Sequence, residues 1–201
     1  KCIEVARALF GAHSEELALA LTQHGSVLIQ HGRYKEAAEQ YRKSNELYRA
    51  LYGPRSATAA ITLGNLADAL GELGDHGRAL ELAREALAGY RESLGEDSPR
   101  TGTMWAKFGD ELTATGHHLE ALDAYDRSLA ILRALEPSKA MRQSVAVSRT
   151  KRAMTLAALQ RYPEALGEAR AAEATLRELT NGQGVFHGLS LVGLVRVACA
   201  A

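Results

Sequence analysis

The chain has 201 residues, 46% of them hydrophobic, 24% charged and 5% aromatic, and 24 Lys+Arg balance 24 Asp+Glu. This composition suits a globular or repeat protein, and without a basic excess it argues against direct nucleic-acid binding. Cys2 and Cys199 stand at opposite ends of the chain, which argues against a disulfide and for a reducing, cytoplasmic setting.

Lys1 to Gly11 aligns with Lys43 to Gly53. Residues 1–10 therefore read as the end of a preceding repeat's second helix, and the sequence as a piece of a longer protein. The register behind this is a 42-residue step. It links Gly11, Gly53 and Gly95, then Gly32, Gly74 and Gly116, then Ala37, Ala79 and Ala121. A fixed period of this size marks a repeat array. The expected units are 11–52, 53–94, 95–136 and an irregular fourth, 137–180, in which Tyr162 and Ala165 lie 44 residues after His118 and Ala121. Residues 181–201 read as the first helix of a further repeat. Its apolar stretch, Val185 to Ala201, is 17 residues long and contains His187 and Arg196, short for a bilayer span.

Each unit divides into two helices. Ser56 is a good N-cap for a first helix running to about Leu73, and Ser98-Pro99 offers the same cap with Pro at the first helical position. Leu63, Leu66, Ala67 and Leu70, and then Trp105, Phe108, Gly109 and Leu112, recur at helical spacing. Gly32, Gly74 and Gly116 are expected to stop the first helices, because glycine tolerates the left-handed geometry of a helix end. A second helix, such as His76 to Ser93, follows at once. No strand-type alternation competes. The expected fold is all-α, a right-handed α-solenoid of stacked antiparallel helix pairs.

Small residues recur 12 apart in every unit: Gly25 and Ala37, Ala67 and Ala79, Gly109 and Ala121, Ala153 and Ala165. Paired helices that cross closely need small side chains at the crossing. With Leu21, Leu63 and Trp105 ahead of them, this pattern resembles the tetratricopeptide repeat. Tyr41, Ala83, Tyr125 and Ala169 follow in the second helices, then Ser44, Ala86, Ser128 and Ala172. The unit exceeds that family's usual length of about 34 residues. Its links, such as Leu94 to Thr101, and its Thr62-Leu63-Gly64-Asn65-Leu66-Ala67 core are similar to the kinesin light chain subtype. The Ala-, Leu-, Arg- and Gly-rich composition resembles a bacterial multidomain protein. His24, Arg149 and Arg152 depart from the apolar pattern, so the fourth pair is expected to pack less tightly or to have a rotated first helix. HEAT repeats approach this length but lack the paired small residues.

The resemblance implies a concave groove lined by first helices, with a peptide segment or partner domain bound in it. The expected contact residues are Thr22, Ser26 and Ile29; Asn65, Asp68 and Glu72; Lys107 and Asp110; and Thr150, Lys151 and Met154. Asn65 can both donate to and accept from a peptide backbone. Lys107 and Lys151 suit acidic groups, while Asp68, Glu72 and Asp110 suit basic ones. A carboxylate clamp is not expected, because Thr22, Ser26 and Gly64 stand where it would need basic or Asn residues. The spacing of the seven histidines matches no metal site, and no phosphate loop or nucleophile motif is present. Neither a metal, nor a cofactor, nor an active site is expected.

Two functions follow. The first is an interaction scaffold for another protein, a peptide or another domain of the same chain, without direct contact to nucleic acid or membrane. The second is a sensory or regulatory arm of a larger bacterial signalling protein. Self-association through the uncapped ends is a further expectation.

Overall fold

The computed structural model describes residues 2–134, 138–180 and Cys199. Expectations for 135–137 and for the helix at 181–201 lie outside the described residues. Among the described residues the elements are α1 (Cys2–Phe10), α2 (Glu15–Gln30), α3 (Tyr34–Tyr52), α4 (Ala57–Glu72), α5 (His76–Leu94), α6 (Pro99–Ala114), α7 (His118–Arg133), α8 (Lys139–Ala158) and α9 (Tyr162–Thr180). The described structure is all-α; α1 packs on α2, α2 on α3, α3 on α4 and α4 on α5, and separately α7 packs on α8 and α8 on α9. The chain separates into two compact units, residues 1–104 and 105–201.

Helix ends follow the local chemistry. The Ser14, Ser56 and Ser138 side chains accept from the amides of Leu17, Ala59 and Met141, capping α2, α4 and α8. Gly32, Gly74 and Gly116 hold φ of +70°, +82° and +82° just beyond first helices. The next amide then reaches back to the helix: Arg33 to Leu28 O at 2.9 Å, Asp75 to Leu70 O at 3.0 Å, His117 to Leu112 O at 2.8 Å. This pattern satisfies carbonyls that the helix end would leave bare. At the end of α8 the same bond, Arg161 to Leu156 O at 2.9 Å, forms around Gln160 at φ +60°. A non-glycine residue there carries a left-handed strain of about 1–2 kcal/mol.

In the first unit, α2 and α3 cross where Tyr41 lies over Gly25. A Cβ on Gly25 would meet the Tyr41 ring at 2.7 Å. The next pair uses Ala67 and Ala83, both buried, so a methyl replaces the bare backbone once the ring is gone. Asn45, itself buried, donates to Ala59 O at 2.7 Å and Thr62 Oγ1 at 3.1 Å, tying α3 to α4. Arg49–Glu85 and Arg55–Glu92, both at 2.8 Å, link α3 and the α3–α4 turn to α5.

In the second unit Gly109 and Tyr125 repeat the first crossing, with a Cβ on Gly109 meeting the ring at 2.9 Å. Arg127 sits 4.9 Å over the Trp105 ring. The fourth pair, expected to pack less tightly or to have a rotated first helix, buries Ala153, Leu156, Ala165 and Ala169 in one cluster with Leu122 of α7. The residues that break its apolar pattern pair with each other's neighbours. Arg149 lies 3.1 Å from Glu168, and Arg152 lies 2.7 Å from Asp126 and 3.8 Å from Glu168. The Arg149 Nε and Glu168 Oε2 atoms face each other without hydrogen-bond alignment, so their attraction is Coulombic.

Candidate interaction surfaces

The expected contact residues separate into those the fold uses itself and those it leaves open. On α2, the half-buried Thr22 donates to Ala18 O at 3.0 Å and meets Ser44 Oγ at 2.7 Å. Ser26 is exposed, but its hydroxyl meets Thr22 O and the Tyr41 hydroxyl at 3.2 and 3.1 Å. Ile29 packs against the cluster of Leu28, Ala37, Ala38, Tyr41 and Ala69. On α4, Asn65 and Asp68 are half-buried and Glu72 is exposed. Among the described residues the Asn65 amide has no hydrogen-bond partner.

In the second unit, Asp110 and Lys151, each expected to meet a partner's charge, meet one another. Around them lies a network that sequence reasoning missed. The Tyr125 hydroxyl donates to Asp110 Oδ1 at 2.7 Å and lies 3.4 Å from Thr113, whose hydroxyl meets that of Thr155 at 3.1 Å. Burial, then the Asp110 carboxylate, drives the Tyr125 phenol far above its usual range, so it stays protonated and donating. The recurring aromatic at the position of Tyr41 was the signal that could have found it.

Thr150 requires a correction. It was expected on an open face, but it is 7% exposed and its hydroxyl is spent on Ala146 O at 3.1 Å. Ala146, Thr150 and Ala153 fall on one side of α8, and that side is the packed one. Met154 is exposed and Lys107 half-buried. Of the expected crossing residues, Gly25 and Gly109 lie against tyrosine rings. Ala37, Ala67, Ala79, Ala121, Ala153 and Ala165 are buried.

Among the described residues no group of three His, Cys, Asp or Glu side chains could hold a metal ion, and no helix is long and apolar enough to cross a membrane.

A groove of about 990 Å³ lies in the first unit on none of the expected residues. Leu66 and Leu70 of α4 and its C-cap Leu73 form its floor, one or nearly one helical turn apart. Along one side α3 supplies Ala38, Lys35, Glu39 and Arg42. Along the other, α5 and its N-cap supply Leu82, Asp75, Arg78 and Glu81. Arg42 is held by Glu39 at 2.9 Å and Glu46 at 2.5 Å, and Arg78 by Asp75 at 3.2 Å. Among the described residues Lys35 and Glu81 are exposed without a hydrogen-bond or ion-pair partner.

No protein of curated function matches this sequence. In structure the chain is similar to BtubC (BKLC) from P. vanneervenii, with TM-score 0.78, 20% identity, and 91% of this chain and 72% of that one covered. It is also similar to a putative kinesin light chain with nearly identical TPR-like repeats from Podosopora anserina, at TM-score 0.74 and 18% identity, covering 94% and 89%. A third likeness is to a Rap protein complexed with Competence and Sporulation Factor, at TM-score 0.77 and 18% identity, covering 98% of this chain and 56% of that one. At these identities the likeness establishes the fold. Tetratricopeptide repeat family models match residues 17–57, 41–92 and 58–134. Together they span more than half of the sequence, and the chain belongs to the tetratricopeptide repeat family.

Proposed function

We propose that this chain is a protein-interaction scaffold that receives a peptide segment or partner domain on the open face of its first helices. The observation that carries this reading is the Asn65 amide, half-buried on α4 and without a partner among the described residues. A partly desolvated amide with unspent donors and acceptor gains from a peptide backbone laid across it. Glu72, exposed further along the same helix, favours a basic residue in that segment. In the second unit the Asp110–Lys151 pair offers both signs of charge from adjacent atoms, so an incoming ion pair exchanges partners rather than burying a lone charge.

The test is a photo-crosslinking side chain placed at position 65, with the same group at exposed Glu120 as control. Position 65 is expected to trap a peptide or protein that position 120 does not. Identical labelling from both would remove this face from consideration.

A sensory or regulatory arm of a larger bacterial signalling protein is the second reading. It is supported by the likeness in fold to the Rap protein complexed with Competence and Sporulation Factor. Coding sequence upstream of Lys1 discriminates. A kinase, nucleotide-binding or helix-turn-helix motif supports the arm, and further repeats alone oppose it.

A further inference from the structure

We propose that the groove between α3 and α5 is a second docking site, separate from the first-helix face, and that it takes an amphipathic helix of a partner protein. Its floor is the leucine row of α4 and its C-cap, Leu73, which is 46% exposed. Apolar side chains spaced along one face of a helix are the natural complement to such a row, since both repeat at the helical pitch. A small ligand fits less well. The volume stands at the top of the range of about 300–1,000 Å³ for small-molecule sites, and the floor offers leucine methyls instead of converging polar groups.

Charge sets the partner's orientation. Arg42 and Arg78 are neutralised within the chain. Lys35 on the α3 side and Glu81 on the α5 side remain unpaired among the described residues. The docked helix therefore carries an acidic residue toward α3 and a basic one toward α5, flanking its apolar stripe.

The second unit shows how this surface looks when the chain covers it. There Arg152 stands at the repeat position of Leu66, Glu168 at that of Leu82 and Asp126 at that of Arg42. Arg152 bonds Asp126 at 2.7 Å and lies 3.8 Å from Glu168. Two of the four leucines that line the groove in the first unit, Leu66 and Leu82, are thus replaced by residues of an ion-paired set.

The experiment selects peptides on the whole chain from a displayed library of amphipathic helices roughly four turns, or about 16 residues, long. The library varies the apolar stripe and the two flanking charged positions. Enriched peptides should carry large aliphatic residues on the stripe, an acid on one flank and a base on the other. Their affinity, read by fluorescence anisotropy, should fall by about tenfold or more in Leu73→Glu and in Leu66→Arg, as expected for central anchor contacts. It should be unchanged in Asn65→Ala/Asp68→Ala, which tests the first-helix face independently. Lys35→Glu/Glu81→Lys should invert the preferred flanks. Leu73 is exposed enough that its variant should melt as the parent does. Absence of enrichment, equal binding to Leu73→Glu, or dimerisation of the parent that Leu73→Glu abolishes in sedimentation would each overturn the proposal.

Discussion

Leu63, Leu66 and Leu82 of the first unit have Arg149, Arg152 and Glu168 as their counterparts in the second. The first set joins the core at Leu63 and the groove at Leu66 and Leu82; the second joins through charge, with side chains 17–27% exposed. Neither set disturbs the crossing beneath it, because Ala67 and Ala153 are equally buried. The difference teaches that the crossing residues specify the helix pair. The positions beside them are free to be apolar and open to a partner, or charged and closed by the chain itself.

The sharpest way to test this division is at the crossings. Tyr41→Ala is expected to destabilise by about 3 kcal/mol or more, as loss of a buried ring does. Gly25→Ala alone should cost about 1–3 kcal/mol through overpacking. Combining them imports the Ala67/Ala83 pair of the neighbouring repeat, so the double variant should be more stable than the sum of the singles in urea unfolding. Strict additivity would mean that the glycine does not answer to the ring.

Next in size is the charged set. Glu168→Leu takes from Arg149 its ion-pair partner and leaves Arg152 with Asp126 alone; it should cost about 2 kcal/mol, less than breaking a fully buried pair because these groups retain some water. Arg149→Leu/Arg152→Leu/Glu168→Leu installs the first unit's residues and should recover most of that loss. If it unfolds the chain, the two solutions are not interchangeable. Gln160→Gly should raise stability by about 1 kcal/mol, because it gives the end of α8 the residue that ends α2 and α4. An unchanged melting temperature would show that the strain is relieved elsewhere.

The smallest effect concerns the α3 wall of the groove. Hydrogen bonds from Arg42, then Lys43, hold the Glu39 carboxyl down to about 2. A depressed carboxylate contributes stability that is complete above its unfolded pKa and lost as pH falls through the folded one. Glu39 should therefore titrate by NMR far below an ordinary glutamate, with its stabilisation fading between about pH 4.5 and 2 and weakening in high salt. An ordinary midpoint would mean that the wall's charges are not paired in solution.

Much of the fold was legible because its determinants are local. The serine caps, the glycine stops and the helical spacing placed the second repeat's helices within a residue of α4 (Ala57–Glu72) and α5 (His76–Leu94). The site was less so. Helical spacing gave the direction of Asp110 and Lys151, but not that α6 and α8 bring them together. Thr150 was misplaced because the packed side of α8 runs through Ala146 and Ala153. The groove exists only because α3 and α5 stand apart over α4, and a sequence marks Leu66, Leu70 and Leu82 simply as apolar. The Gly25–Tyr41 match was also hidden, since it depends on how far a ring reaches across a pair.

That match alternates. Gly25, Tyr41 and Ser44 return as Gly109, Tyr125 and Ser128, whereas Ala67, Ala83 and Ala86 return as Ala153, Ala169 and Ala172. Adding or removing one repeat would set two crossings of the same kind side by side, and adding two would keep the order. The module by which such an array can be spliced, grafted or lengthened without altering its sequence of crossings is thus a block of two repeats, four helices long.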